Sequence, residues 1–152
     1  MRTIVALIGK AGAGKDTVAD ILCQRHPDWN EIISCTTRPR RDNETEGVDY
    51  YYMTDEEFSL GVLNDIFLET TFFNQWCYGT PESSIKEGIN IGVFNPAGYE
   101  QLRDNIDPNE FDLYGFYIEA DDKERLLRQL NRESCPNVKE IIRRYSTDEN
   151  DF

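Results

Sequence analysis

A single histidine, His26, stands among 152 residues, and the four cysteines (Cys23, Cys35, Cys77 and Cys135) fall at no CxxC or comparable ligand spacing. A zinc centre is therefore disfavoured, and free thiols in a reducing cytoplasm are the expected state. No stretch approaches the roughly 18 apolar residues that a membrane span requires. The apolar start runs straight into a glycine loop instead of a small-residue cleavage site, so it reads as a core strand and not as a signal peptide. Basic residues are few, with 16 Lys and Arg against 29 Asp and Glu and a formal net charge of −13. Such a surplus repels polyanions at long range, which disfavours nucleic acid and anionic membrane surfaces as partners. A small phosphate ligand stays possible where a few cations converge. The length suits one domain, and 39% hydrophobic residues supply a core without a disulfide or metal staple.

Thr3 to Ile8 is a short β-branched run, as expected of a strand buried on both faces. Asp16 opens a helical pattern that Pro27 stops, and Glu31 to Ser34 reads as a second strand. Cys35 to Gly47 shifts to Thr, Arg, Pro, Asn and Glu without core periodicity, the composition of a long functional loop. Tyr50 to Tyr52 reads as a strand. Thr54 and Glu57 form a capping box that starts a helix ending near Leu63. Phe67 to Phe73 and Trp76 to Tyr78 alternate like an antiparallel pair, and a helix can begin at Pro81. Strands at Asn90 to Phe94 and Asp112 to Ile118 flank a helix over Ala97 to Arg103. Asp121 or Asp122 caps a helix with Leu126, Leu127 and Leu130 on one face, and a last helix runs from about Pro136 to Tyr145. The closing TDENDF reads as a charged end. Of the aromatics, Tyr51, Tyr52 and Phe73 are expected in the core. Strand and helix alternate in the outer segments, which implies a parallel sheet with helices on both faces.

Gly9-Lys10-Ala11-Gly12-Ala13-Gly14-Lys15 fits GxxxxGK, with a strand before it and a helix after it. Glycines let consecutive backbone N–H groups turn around an anion, and the following helix adds the positive end of its dipole. Lys15 supplies a point charge for the β- and γ-phosphates of ATP. Gly9, Ala11, Gly12, Ala13, Gly14, Lys15, Asp16 and Thr17 are thus the candidate ATP phosphate site. Asp16 stands where such loops usually carry a hydroxyl for Mg²⁺. Its carboxylate is also a hard oxygen ligand, so two roles stay open, direct ligation of the metal or capping the helix with the metal held through water. The fold class expected is α/β, a P-loop NTPase-like parallel sheet flanked by helices.

Ser34 to Arg41, then Glu46 to Tyr51, Phe67-Leu68-Glu69 and Tyr78-Gly79-Thr80 follow in order and at matching spacing. Together with the loop they resemble the guanylate kinase family over most of the chain, to about Arg144. The chemistry is consistent: Arg38 and Arg41 present planar donor forks to a monophosphate, and Tyr50 and Tyr78 add hydroxyls. One carboxylate, Glu69, accepts both N1–H and the 2-amino group of guanine, while Ser34 and Thr80 donate on the O6 side. A site so built rejects adenine by as much as about 10⁴-fold. The resemblance implies that Arg38, Arg41, Tyr50 and Tyr78 hold the phosphate and that Ser34, Glu69 and Thr80 read the base. It breaks at Val93-Phe94-Asn95, where the family carries Asp-x-Asp, leaving Asn95 in the second acidic place.

Phosphoryl transfer needs in-line positioning, Mg²⁺ and cations over the transferring oxygens. The resemblance places lid arginines after the last strand. Arg128, Arg132 and one of Arg143 and Arg144 join Lys15 as catalytic candidates, whereas Arg125 is expected to be an exposed helix charge. The resemblance also implies a division of one domain, 1–152, into a core of 1–33 and 90–152, a β-rich acceptor insertion of 34–89, and a short helical lid near 132–138. Relatives generally add a further strand and helix beyond this chain's Phe152, so an incomplete adenine pocket is expected. The leading expectation is a cytoplasmic kinase that uses ATP and Mg²⁺ to phosphorylate GMP or dGMP. A broader deoxynucleoside monophosphate kinase is the alternative. Phage enzymes of that kind share the Gly-Lys-Asp-Thr sequence, and a small acidic chain suits a phage or bacterial origin. A binding module of the same fold that has lost catalysis is the third reading.

Overall fold

The computed structural model describes residues 1–152. Its eight strands are β1 (Arg2–Ile8), β2 (Asn30–Glu31), β3 (Cys35–Thr36), β4 (Tyr51–Tyr52), β5 (Phe67–Phe73), β6 (Trp76–Pro81), β7 (Gly88–Phe94) and β8 (Phe111–Tyr117). Its five helices are α1 (Lys15–Arg25), α2 (Asp55–Leu63), α3 (Pro96–Asn105), α4 (Asp122–Asn131) and α5 (Val138–Asp151). The strands form two sheets, one in the order β2-β7-β1-β8 and the other β4-β3-β6-β5. Every pairing in the first sheet is parallel. In the second, β5-β6 is an antiparallel hairpin and β3 joins it antiparallel to β6.

β1 is central because alternate residues bury against different helices. Ile4 and Ala6 pack with Leu102 of α3, Phe94 and Phe111; Leu7 packs with Ala19 of α1 and Ile91. Helices therefore cover both faces of a parallel sheet, the α/β class read from the alternation of elements. Leu68 of β5 enters the first of these clusters, so the second sheet shares the core of the first. Parallel register brings Ile8 level with Phe94 and Tyr117. The loop after β1 and the start of α3 consequently emerge side by side at the carboxyl ends of the strands, where open α/β sheets bind ligands.

Several local signals act as written in the sequence. Thr54 and Glu57 make the reciprocal capping box of α2, and Asp121 caps α4 by accepting from Lys123 and Glu124. Other expectations need correction. The segment after α1 splits: Asn30–Glu31 pairs with β7, while Cys35–Thr36 pairs with β6 as a buried strand instead of opening a loop. Pro81 ends β6, and a single 3-10 turn over Glu82–Ser84 replaces the expected helix. In α4 the buried face is Arg125 and Gln129, whereas Leu126 and Leu127 are exposed. The last helix reaches Asp151, so most of the charged end is helical.

One buried polar hub ties β7 to its surroundings. Asn90 is fully buried; its side chain accepts from Asn30 Nδ2 and Lys86 N, both at 2.8 Å, and donates to Lys86 O and to Thr3 O. Asn90→Ala takes the acceptor from Lys86 N, one of two acceptors from Asn30 Nδ2 and the side-chain donor from Lys86 O, Thr3 O and Gly88 O, and should lower unfolding free energy by about 3 kcal/mol in a urea titration.

Candidate active site

The phosphate loop owes its shape to backbone freedom at two glycines. Gly12 has φ +76° and Gly14 has φ +99°, a left-handed region that costs L-residues. Gly14 directly precedes α1, whose first N–H groups therefore face the loop. Lys15 Nζ donates to Gly9 O at 2.5 Å and Lys10 O at 3.1 Å. Burial pulls its pKa below the ordinary lysine value. Asp16 and Thr17 are exposed.

Glu69 lines a cavity of about 470 Å³ that also reaches Lys15. It is only 7% exposed. Thr80 Oγ1 donates to its Oε1 at 2.7 Å and Thr71 Oγ1 to its Oε2 at 3.3 Å. Ser34 Oγ lies 3.5 Å from Thr80 Oγ1. Burial pushes the Glu69 carboxyl above the usual range, against the lowering effect of those hydroxyls. The α3 helix fixes its position: Gln101 bonds both backbone groups of Thr70, and Asn105 Nδ2 donates to Leu68 O at 2.8 Å. Gly98 matters as well, since a Cβ there would stand 3.0 Å from Glu69 Oε2.

Arg38, Arg41, Tyr50 and Tyr78 line the same cavity. Arg38 is held by Glu44 at 2.7 and 3.1 Å and faces the Tyr50 ring at 5.4 Å. That ion pair pulls Glu44 down to about 2 and raises Arg38. The Tyr50 and Tyr78 rings meet edge to face at 5.9 Å. Asn95 lines the cavity too, but its Oδ1 accepts from Gly98 N at 2.7 Å as the cap of α3.

The arginines after β8 are distributed. Arg144 lines the main cavity. Arg132 lines a neighbouring space of about 230 Å³ together with Arg41 and Arg144. Arg128 reaches back to Gly12 O and Ala13 O on the outer side of the phosphate loop. Arg143 pairs with Glu140 and lies 4.7 Å above the Phe73 ring. Arg125 is buried, not an exposed charge, and Phe73 lines the cavity instead of the core. Tyr51 is exposed, and the Tyr52 hydroxyl donates to Glu44 at 2.8 Å. Thr71, Glu44 and Asp148 escaped the sequence reading. Thr71 could have been found as the next residue on Glu69's side of a strand with period two.

No group of three or more His, Cys, Asp and Glu side chains is placed to hold a metal. No helix is long and apolar enough to cross a membrane.

A family model described as guanylate kinase matches residues 1–152. A guanylate kinase of Frankia casuarinae is 40% identical over 90 residues, 59% of this chain and 49% of that protein. One from a Synechococcus species is 32% identical over 140 residues, 89% and 64% of the two chains. One from Thermobifida fusca is 31% identical over 151 residues, 96% and 75%. The alignments with the first two thus span about half to two thirds of their length. The crystal structure of guanylate kinase from Anaplasma phagocytophilum shares the fold, with a TM-score of 0.68 at 23% identity over 98% of this chain and 73% of that one.

Proposed function

The chain belongs to the guanylate kinase family, and from that premise we propose that it transfers the γ-phosphoryl of ATP to GMP or dGMP. The observation that carries this reading is one cavity shared by Lys15, Arg38, Arg41, Tyr50, Tyr78 and the buried carboxylate of Glu69. Glu69 accepts from guanine N1–H and the 2-amino group, and Ser34 attends the O6 side; Thr80, expected there too, spends its one hydroxyl hydrogen on Glu69 and orients that carboxylate instead. Arg38, preset by Glu44, joins Arg41 and the two tyrosines on the monophosphate. That leaves the acceptor phosphate between the arginines and the loop, the in-line arrangement that transfer requires.

Residues 34–89 serve in this reading as the acceptor unit, residues 1–33 and 90–152 as the core, and residues near 132–138 as the lid. Lys15 neutralises charge on the β- and γ-phosphates. Arg144 is placed for the transferring group, with Arg128, Arg132 and Arg143 as further cations on the helices around the lid. The exposed Asp16 carboxylate, beside the Thr17 hydroxyl, would hold a magnesium ion there, directly or through water. That metal, when bound, withdraws charge from the phosphate oxygens. A cytoplasmic setting is consistent with four free thiols.

A broader deoxynucleotide acceptor range is the second reading. It draws on Val93, 37% exposed and lining the cavity where the family resemblance calls for a carboxylate, and on Asn95, whose oxygen is engaged by Gly98. Phage enzymes of that breadth are the corresponding source.

ADP formation from Mg·ATP, measured with GMP, dGMP, dAMP, dTMP and dCMP, decides between them. GMP or dGMP should react fastest by at least about 100-fold. Equal rates across bases would establish the broader reading. Tight Mg·ATP binding without transfer to any of the five would leave a non-catalytic binding module.

A further inference from the structure

Helix α4 lies so close to the outer side of the phosphate loop that a Cβ on Gly12 would stand 2.7 Å from Arg125 O. From there it holds three successive loop carbonyls. Arg125 donates to Ala11 O at 3.0 Å, and Arg128 to Gly12 O at 3.2 Å and Ala13 O at 3.4 Å. The N–H of Ala11 is held too, by Asp148 Oδ2 of α5 at 2.9 Å. The same oxygen lies 3.4 Å from Arg125 Nη1, with side-chain exposures of 1% for Arg125 and 14% for Asp148. Asp122 takes the other end of the guanidinium at 2.7 Å, and the Tyr145 ring lies 4.5 Å from it.

Burying an arginine is costly unless its charge is matched and its donors are used. Here Asp148 and Asp122 match the charge and both terminal nitrogens donate, while Nε alone is left without a partner. Carbonyls drawn outward leave the neighbouring N–H groups free to turn inward toward an anion. A loop of small residues gains little order from side-chain packing, so an external hold on both its polar groups has a large effect on its shape.

We propose that Arg125 and Asp148 are positioning residues, a buried ion pair that reaches from the two helices flanking residues 132–137 to both sides of Ala11 and fixes the phosphate loop in its anion-receiving form. The role rests on the reading that this loop receives the ATP phosphates. Arg125 is buried behind the loop, whereas Asp148 also lines the main cavity beside Ala11 and Lys15; the role assigned to both is exerted through the loop. The same geometry has an opposite interpretation, in which the Asp148 carboxylate occupies a phosphate position and is displaced by ATP. The two differ in sign.

The test uses the whole chain with Asp148→Ala, Asp148→Asn and Arg125→Met, and Glu149→Gln as the control, since Glu149 makes only an exposed pair with Lys10. The first readout needs no nucleotide: hydrogen exchange at the Ala11 amide. Asp148→Ala should speed it by about 10-fold or more, and Asp148→Asn, which keeps an acceptor oxygen, by much less. Unchanged exchange in Asp148→Ala overturns the brace. The second readout is the KM for ATP, expected to rise about 10-fold or more in Asp148→Ala and Arg125→Met, with the KM for GMP and the Glu149→Gln enzyme within about twofold of the parent. Tighter ATP binding by Asp148→Ala overturns the proposal in favour of a displaceable carboxylate. Should Arg125→Met unfold, the two Asp148 variants carry the test. A parent chain that phosphorylates no nucleotide defeats the kinase reading alone, and the exchange measurement still decides the brace.

Discussion

Glu69→Gln should lower kcat/KM for GMP by about 10²- to 10⁴-fold while the KM for ATP changes little. Each Glu69 oxygen already accepts one threonine hydroxyl. A carboxylate has about four lone-pair sites, so each oxygen keeps capacity for a guanine donor. A glutamine amide replaces one acceptor with an NH₂, which faces a guanine donor and leaves two buried donors opposed. The loss is specific to guanine, so the variant's rates with dAMP should stay within about threefold of the parent. The pH profile gives a second signature. Burial raises the Glu69 pKa, so the carboxyl takes up a proton at a higher pH than an ordinary glutamate as the solution is acidified. The acid limb of kcat/KM for GMP should therefore begin above the usual glutamate range, and Glu69→Gln should lack it. In stability the sign reverses. The folded state holds this proton more tightly than the unfolded chain, so the Glu69 contribution falls as pH rises from the ordinary value through the raised one. The glutamine variant should accordingly melt no lower than the parent at pH 7, and a lower melting temperature would assign Glu69 to the structure instead of to the base.

The legible parts of the fold were those with local periodicity or local caps. The β-branched run of β1, the Thr54 capping box and the alternating aromatics of β5 and β6 each carry their signal within a few residues. β2 and β3 do not, since two-residue strands are too short to show a period and exist only because β7 and β6 lie beside them. Cys35 and Thr36 look like loop in sequence and are buried in the second sheet. The buried face of α4 departs from its apolar pattern for a different physical reason. An apolar stripe predicts a helix that packs on a sheet, but α4 packs on the carbonyls of the phosphate loop and on α5. There an arginine is the better-matched side chain, and Leu126 and Leu127 turn outward.

Much the same divides the site. Lys15 and its glycines could be read from spacing because the loop's chemistry is contiguous in sequence. Glu69, Ser34 and Thr80 are far apart and unremarkable singly; the family resemblance gathered them, and the structure brings them within hydrogen-bond reach or nearly so. What stayed hidden was support from elsewhere: Gln101 and Asn105 pinning the strand around Glu69, Glu44 holding Arg38, and Asp148 holding Ala11. Support of this kind depends on which helix lies next to which strand, and a single sequence carries no local trace of it.

Lys15→Met should reduce kcat/KM for ATP by about 10³-fold or more, with GMP binding unchanged within about twofold. The ammonium donates to Gly9 O and Lys10 O, so it is kept inside the loop and not extended into solvent. Its burial disfavours the charged form, and a triphosphate relieves that penalty by supplying oxygens of opposite charge. The interaction strengthens as charge shifts toward the leaving β-phosphate during transfer. Methionine keeps the length and apolar stem without the charge, so loss of packing cannot account for the effect. An arginine at the same position keeps the charge but needs room for a planar fork, and Lys15→Arg should recover only part of the activity. Calorimetric binding of GMP, unaltered in Lys15→Met, would separate a defect in phosphate chemistry from a disturbed acceptor site. A methionine variant within about 10-fold of the parent in kcat/KM for ATP would instead reduce Lys15 to a prop for the loop carbonyls, leaving the backbone N–H groups and the arginines of α4 and α5 as the charges that act on the phosphoryl group.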